Sequence, residues 1–432
     1  MSGLALLGIF IAVFLVAILV RVPIGVAMAV GGIVALTLGG QRLSQVPGAA
    51  NGAVNSFALL AIPGFILAGN VLTEGGISQR ILEFSQSIVG RFRGSLGATT
   101  VLASAAFGTV SGSSLATVAA VGGIMTKPMQ KSGYGKEYPA ALIGAAGLLG
   151  ILIPPSVPGI VLAISAGLSI ADVWLSTAAP AILLAIIYII INYVIMGRKV
   201  EPGVKLPLAP YLAEIGSKGI RASAAMFMPV IIFAGIYGGV FTPTEAAFVS
   251  VAYGFIVAFV IYRSMTLGGS WRTLKDAALT SASISVLIAF AAIAGRMITV
   301  VGIPGQVADW VTGNFSSPVA FLLVLNVALL VLGTFMETNT SILITAPILF
   351  PAATALGIDP LHFAAVMLLN LEIGMITPPF AANLFVSCGI AGISIDRVVK
   401  PIIPFFLGAV GVLLLTTLWP GFSQSLITLI NR

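Results

Sequence analysis

Four short runs in this 432-residue chain combine residue types that can hold a small ion. Ile153-Pro154-Pro155-Ser156 and Ile376-Thr377-Pro378-Pro379 each set two prolines inside an otherwise apolar stretch. Proline has no amide hydrogen and disfavours helix at the residue before it, so the carbonyls just ahead of each pair lose their partners. With the hydroxyls of Ser156 or Thr377, those oxygens suit a hard monovalent cation. The other two runs, Ser111-Gly112-Ser113-Ser114 and Glu337-Thr338-Asn339-Thr340-Ser341, are polar centres of stretches at about 95–126 and 316–350, each long enough to cross a bilayer twice. A helix starting near Ser113-Ser114 or Asn339-Thr340 would aim free amide hydrogens and its positive dipole end at an anionic group. The expected chemistry is therefore sodium bound in two oxygen-lined cages beside a carboxylate.

Such sites need elements that keep polar backbone at membrane depth. The 20 Lys and Arg and 13 Asp and Glu make up 8% of the chain, where a soluble domain carries roughly 25%, and 59% of the residues are apolar. Apolar stretches of spanning length lie at about 4–20, 22–40, 56–73, 139–171, 178–197, 222–240, 246–262, 276–300, 363–395 and 402–419, ten in all. Irregular backbone survives in a bilayer only inside protein or beside a wet cavity, so 95–126 and 316–350 are expected to be re-entrant helical hairpins. With both termini on the periplasmic side, 17 of the 20 basic residues fall in cytoplasmic loops. Arg42 and Arg432 fall outside, and Arg296 lies within a span. The first apolar stretch lacks a preceding basic residue and is followed at once by another, so it is expected to be a retained span.

Landmarks repeat along the chain. Gly150 and Pro154 recur as Gly374 and Pro378, 224 positions on; Gly108-Thr109 recurs as Gly333-Thr334, Ala68-Gly69 as Ala294-Gly295, and Pro23 as Pro243. The expected organisation is a first repeat over 1–200, with a broken helix at 153–156, and a second over 222–432, broken at 376–379. A polar cytoplasmic linker at 201–221 joins them, within a cytoplasmic loop 198–221. Each half holds five spans and a hairpin, and an odd number of spans inverts the second half relative to the first. Segments 76–93 and 302–315 mix apolar and polar residues, as connecting arms along the interface would.

Single residues carry further expectations. Thr242-Pro243-Thr244-Glu245 fits a capped helix start. Arg296, costly within a span, either pairs with Glu337 or Glu372 or meets a substrate carboxylate. Glu372 either pairs with Arg296 or helps hold a cation. Asn370 and Asn383 flank the second break and are candidates for substrate contact, as are Ser113 and Asn339. His362, beside Asp359-Pro360, is expected in a loop without chemistry. The single Cys388 and single His362 exclude a disulfide and a zinc helix. No basic run suits nucleic acid, and no paired Asp or Ser with Lys occurs mid-span to make an intramembrane enzyme. No cofactor is expected beyond coupling ions.

These motifs resemble one family. Phe107-Gly108-Thr109-Val110-Ser111-Gly112-Ser113-Ser114, Gly147-Leu148-Leu149-Gly150-Ile151-Leu152-Ile153-Pro154-Pro155-Ser156, Thr242-Pro243-Thr244-Glu245-Ala246-Ala247 and Gly374-Met375-Ile376-Thr377-Pro378-Pro379 are similar to the large membrane subunit of the tripartite ATP-independent periplasmic (TRAP) transporters, within the ion transporter superfamily. The resemblance covers essentially the whole chain. It implies an all-α polytopic membrane protein of the bacterial or archaeal cytoplasmic (inner) membrane, with two inverted repeats. Its activity would be sodium-driven, elevator-like import of an organic acid such as a dicarboxylate or sialic acid. It also implies two partners, a small membrane subunit and a soluble periplasmic substrate-binding protein. Carried over by motif, Ser111, Gly112, Ser113, Ser114, Pro154 and Ser156 would build a first sodium site, and Thr338, Asn339, Thr340, Thr377 and Pro378 a second. The alternative is a self-sufficient sodium- or proton-coupled anion symporter of the same fold.

Overall fold

In a bilayer a helix satisfies its own backbone, and the apolar stretches of this chain all become helical. The computed structural model describes residues 3–91, 93–200 and 207–430. The chain opens with α1 (Gly3–Leu19), α2 (Ile24–Leu38), α3 (Gln45–Val54), α4 (Ala61–Glu74) and α5 (Ile77–Val89). A hairpin of α6 (Ser95–Ser111) and α7 (Ser114–Met129) follows, then the interrupted run α8 (Glu137–Ala146), α9 (Leu149–Leu152) and α10 (Val157–Ala166), and the long α11 (Ile170–Met196). Beyond it come α12 (Leu208–Tyr237), α13 (Pro243–Ile256), α14 (Leu267–Val300) and α15 (Ile303–Asn314). The second hairpin pairs α16 (Pro318–Phe335) with α17 (Thr338–Ala355), and the chain ends with α18 (Pro360–Gly374), α19 (Ala382–Ala391), α20 (Val399–Leu418) and α21 (Pro420–Ile430).

Both polar centres are hairpin tips, and the hairpins run a little longer than expected, to Met129 and Ala355. Both proline pairs break a helix, and the 376–379 break widens to 375–381 because Ala381 turns left-handed (φ 40°) before α19 can start. The two segments expected to be arms are helical, as α5 and α15. Thr242 caps α13 reciprocally: Glu245 N–H donates to its hydroxyl (3.3 Å), and its own N–H donates to the Glu245 carboxylate (2.8 Å).

Several expectations need correction. The linker read at 201–221 is largely helix: 201–206 lie outside the described residues, and α12 starts at Leu208, its polar first turns held partly by a Glu214–Lys218 pair four positions apart (2.6 Å). The stretch 139–171 does not run through. It turns at Gly167, and α11 begins at Ile170, not 178, because Ser169 caps it by accepting from Asp172 N–H. Among the described residues, seven helices are long and apolar enough to cross a membrane, or eight counting the α8–α9 and α10 pair bent by 46°, against ten expected spans. Six of the seven match expected spans and the seventh is α16. α1 and α2 fall short, at 17 and 15 residues, because the turn around Arg21 (φ 65°) and Pro23 consumes the chain between them. His362 is no loop residue. It lies buried in the first turn of α18, its N–H donating to Asp359 (2.9 Å) and its Nδ1 3.0 Å from the Ser423 hydroxyl of α21.

Helices in lipid gain little from the hydrophobic effect and associate where small residues let backbones approach. The two halves use the same device at corresponding positions. Gly108 of α6 lies against Gly150 of α9, where an added methyl would meet the Gly150 Cα at 2.8 Å; Gly333 of α16 lies against Gly374 of α18, where a methyl on Gly374 would meet the Gly333 Cα at 2.6 Å. Each hairpin's first arm is thereby locked to its broken helix one turn before the break. α18 ties two apolar clusters together. Phe363 and Met367 join one around Phe65, Trp174 and Phe350; Val366, Leu369 and Ile373 join the other around Phe107, Tyr188 and Phe405.

Candidate ion and substrate site

The first tip is built from turn chemistry. Ser111 ends α6, Gly112 takes the left-handed conformation (φ 59°) that a side chain would strain, and the Ser113 hydroxyl caps α7 by accepting from Ala116 N–H at 3.3 Å. A methyl on Gly112 would lie 2.8 Å from the Pro155 carbonyl oxygen. That close approach joins tip to break: Val157 N–H donates to the Gly112 carbonyl (3.4 Å). Thr117 Oγ1 donates to the Ser113 carbonyl (2.8 Å) and lies 3.1 Å from the Ser111 hydroxyl. Across the break, Ser156 caps α10 through Gly159 N–H (3.2 Å), and its carbonyl accepts from the indole of Trp174 (3.1 Å). Since positions 154 and 155 are prolines, the Gly150 and Ile151 carbonyls have no N–H four residues on.

The second tip uses side chains where the first uses glycine. Glu337 is the cap of α17: its carboxylate accepts from Thr340 N–H (3.2 Å) and from the Asn339 amide (2.6 Å). The helix therefore starts at Thr338, just before Asn339-Thr340. Thr338 Oγ1 donates to Glu372 of α18 (2.6 Å). Among the described residues, Asn339 Oδ1, Ser341 Oγ and Glu372 Oε2 are buried oxygens without a hydrogen-bond partner. Buried polar atoms in this state are uncommon, and these three belong to the second tip and to the carboxyl group that Thr338 bonds. The second break is more self-contained than the first. Thr377 Oγ1 donates to the Ile373 carbonyl (2.7 Å), Thr377 N–H to Gly374, and Asn383 N–H to Met375.

Both tips face one cavity of about 520 Å³. Ser111, Gly112, Ser113, Ser114, Thr338 and Asn339 line it; Pro154, Ser156, Thr340, Thr377 and Pro378 do not. Sequence reasoning missed Asn70 and Thr73 of α4 and Thr280 and Ser283 of α14 as lining groups; Glu337, part of the expected second tip, lines it as well. The spacing of Asn70 and Thr73, three apart on one helix face, was the available signal.

Three candidates lie elsewhere. Arg296 neither pairs with Glu337 or Glu372 nor lines the cavity; it is exposed and donates to Gln45 of α3 at 2.7 Å, a partner that an unforeseen helix brings to it. Asn383 is buried against α8, its amide donating to the Gly144 carbonyl at 3.4 Å. Asn370 likewise turns away, its amide bonded to Asn326 of α16.

A family model described as the DctM component of the tripartite ATP-independent periplasmic transporters matches residues 11–422. The C4-dicarboxylate TRAP transporter large permease protein DctM of Pseudomonas aeruginosa is 39% identical over 372 residues, 86% of each chain. The isethionate TRAP transporter permease protein DctMQ of Oleidesulfovibrio alaskensis is 34% identical over 421 residues, covering 95% of this chain and 64% of that one. Among solved structures, the Alcanivorax borkumensis YdaH transporter superposes with a TM-score of 0.62 over 88% of each chain at 16% identity, a likeness of fold.

Proposed function

Because the chain belongs to the DctM component family of the tripartite ATP-independent periplasmic transporters, a TRAP large permease, we propose that it imports a small organic anion by sodium coupling. The observation that carries this reading is the shared cavity, lined by both hairpin tips and by residues next to both helix breaks. Cations enter at the tip-and-break pairs. The substrate carboxylate sits between the tips, near the α7 N-terminus, whose free amides and dipole favour an anion. The relatives named above are named for C4-dicarboxylates and for isethionate, small anions that such a cavity accommodates.

Transport then requires exposing this cavity to each side in turn. Inverted halves supply two equivalent arrangements, and the unit of hairpins and broken helices moves like an elevator while α5 and α15 act as arms. The cytoplasmic or inner membrane is its location. A small membrane subunit and a periplasmic binding protein are its partners: the longer DctMQ relative carries a second component in its printed name, and family membership weighs against the self-sufficient symporter.

Thermal unfolding of the permease with its small subunit tests the coupling ion. Sodium should raise stability by about 2.7 kcal/mol at a hundredfold excess over Kd, and equal potassium should not. Ser113→Ala, which removes the cap at the first tip, should lose part of that gain. Equal responses to sodium and potassium in a folded sample would reject sodium coupling.

A further inference from the structure

A further cavity, of about 750 Å³, lies where α5 begins, and it shares no lining residue with the one between the tips. The chain passes from α4 into α5 through Gly75 and Gly76, the second left-handed (φ 71°). The Ser264 hydroxyl donates to the Gly75 carbonyl (2.7 Å), which ties this joint to the chain beyond α13. Arg80 of α5, Arg221 of α12 and Tyr262, just past the helical turn that continues α13, line the cavity.

Tyr262 arranges both arginines. The Arg80 guanidinium lies over its ring, with Cζ 3.8 Å from the centroid, and its hydroxyl donates to the Arg221 carbonyl (2.8 Å) while accepting from Ala225 N–H (3.3 Å). A guanidinium stacked on a ring keeps its N–H donors in its own plane, open to another partner. One of them donates to the Gly76 carbonyl (2.9 Å). Among the described residues the Arg221 guanidinium has no hydrogen-bond partner, and neither arginine belongs to an ion pair, those pairs being Lys218–Glu214 and Arg397–Glu137. Glu83 also lines the cavity, but its carboxylate accepts from the Gln79 amide of the same helix (3.0 Å). Arg80 and Arg221 against Glu83 leave the lining a surplus of one positive charge. Two guanidiniums facing one space repel, and an anion between them relieves that repulsion.

The rim of the cavity is apolar. Ile220 and Ile261 line it and are 77% and 52% exposed, each next in sequence to one of its polar groups. A soluble anion would use only the polar part, whereas a lipid uses both, its phosphate taking the guanidinium donors and its acyl chains the isoleucines. The depth also fits. No charged residue follows Arg221 in α12, so it stands where the apolar part of that helix starts, and the distribution of basic residues assigns this end to the cytoplasm. We propose that the cavity binds the phosphate of an anionic phospholipid of the cytoplasmic leaflet and that this lipid pins the start of α5 to α12. A phosphodiester carries one negative charge, which matches the surplus, and its oxygens accept from Arg80 and Arg221. One headgroup thereby bridges two helices that no ion pair joins among the described residues. The site is independent of the coupling ion and of the substrate.

The test uses the permease with its small subunit in nanodiscs of phosphatidylcholine, alone or with phosphatidylglycerol added. Phosphatidylglycerol should raise the Tm of the parent, and native mass spectra should show about one phosphatidylglycerol retained per permease. The double variant Arg80→Gln/Arg221→Gln should lose both effects, with lipid affinity weakened about tenfold or more. Arg272→Gln/Lys275→Gln removes as much charge from the exposed start of α14 and should keep both. Should the first double variant fail to fold, Arg221→Gln alone, whose side chain has no hydrogen-bond partner to lose, should still forfeit most of the gain. Equal Tm gains in the parent and both double variants would reflect the general attraction of a basic surface to an anionic bilayer and overturn the inference. Inorganic phosphate that protects the parent in phosphatidylcholine as well as phosphatidylglycerol does would make the ligand a soluble anion and overturn the lipid assignment. A complex indifferent to phosphatidylglycerol, when the permease alone responds to it, would put the small subunit over the cavity and overturn it as well.

Discussion

Gly374→Ala is expected to leave little folded permease, and Gly108→Ala to do nearly as much damage. In each half a glycine of the broken helix meets a glycine of the hairpin. A methyl on Gly374 would press on the Gly333 Cα at 2.6 Å and its carbonyl oxygen at 2.7 Å; one on Gly108 would meet the Gly150 Cα and the Leu149 carbonyl oxygen, each at 2.8 Å. The obstacles are backbone atoms, which cannot rotate aside as a side chain would. Overpacking of this kind costs about 1–3 kcal/mol where neighbours can shift and more where they cannot. A loss of about 3 kcal/mol or more is therefore expected for Gly374→Ala, read as a lowered Tm and as lost uptake in reconstituted complexes. Gly411→Ala, whose methyl would have open space, is the control and should match the parent. A Gly374→Ala protein with the parental Tm would show that the two backbones are not in this contact.

The second large effect concerns the tip that lacks glycine. Glu337→Ala removes the acceptor of Thr340 N–H and frees the Asn339 amide. Loss of a helix cap costs about 0.5–2 kcal/mol, and an unsatisfied buried amide about 1–3. Together these give about 1.5–5 kcal/mol, concentrated where the ion is proposed to bind. Sodium should then protect the variant at least tenfold less effectively in thermal titrations. Glu337→Gln retains an acceptor oxygen and should recover most of the loss. If the alanine and glutamine variants bind sodium like the parent, Glu337 does not organise the second tip.

What was legible in the sequence follows from how local each cause is. Pro154-Pro155 and Pro378-Pro379 break helices through their own missing amide hydrogens, and Ser113 and Thr242 cap helices within one turn, so these features needed no tertiary context. Pairing a polar turn with a break twice gave two expected cages, one per half, but that both tips face one cavity is a consequence of the fold. Less local causes were hidden. The start of α12 carries Glu214, Lys218 and Arg221, a composition that looks like linker unless its spacing of four is weighed. α3 holds Gln45 and Asn51 and too few apolar residues to register as an element, so the partner of Arg296, 251 positions away, was out of reach. His362 looked like loop because Asp359-Pro360 precedes it, although the same pair caps and starts α18. Glu372 and Thr338 meet only through the fold, 34 positions apart.

Trp174 donates its indole N–H to the carbonyl of Ser156 and rests edge-on against Phe65, with ring centroids 5.5 Å apart. The other three tryptophans, Trp271, Trp310 and Trp419, are 72%, 60% and 57% exposed. The molecule thus carries one buried tryptophan, bonded to a residue that flanks the first break. If a cation draws the Ser156 carbonyl toward itself, that bond must lengthen and the indole's electronic environment must change, while the three outer rings add a steady background. Its native fluorescence would then follow occupancy of the first cage optically, with no label attached.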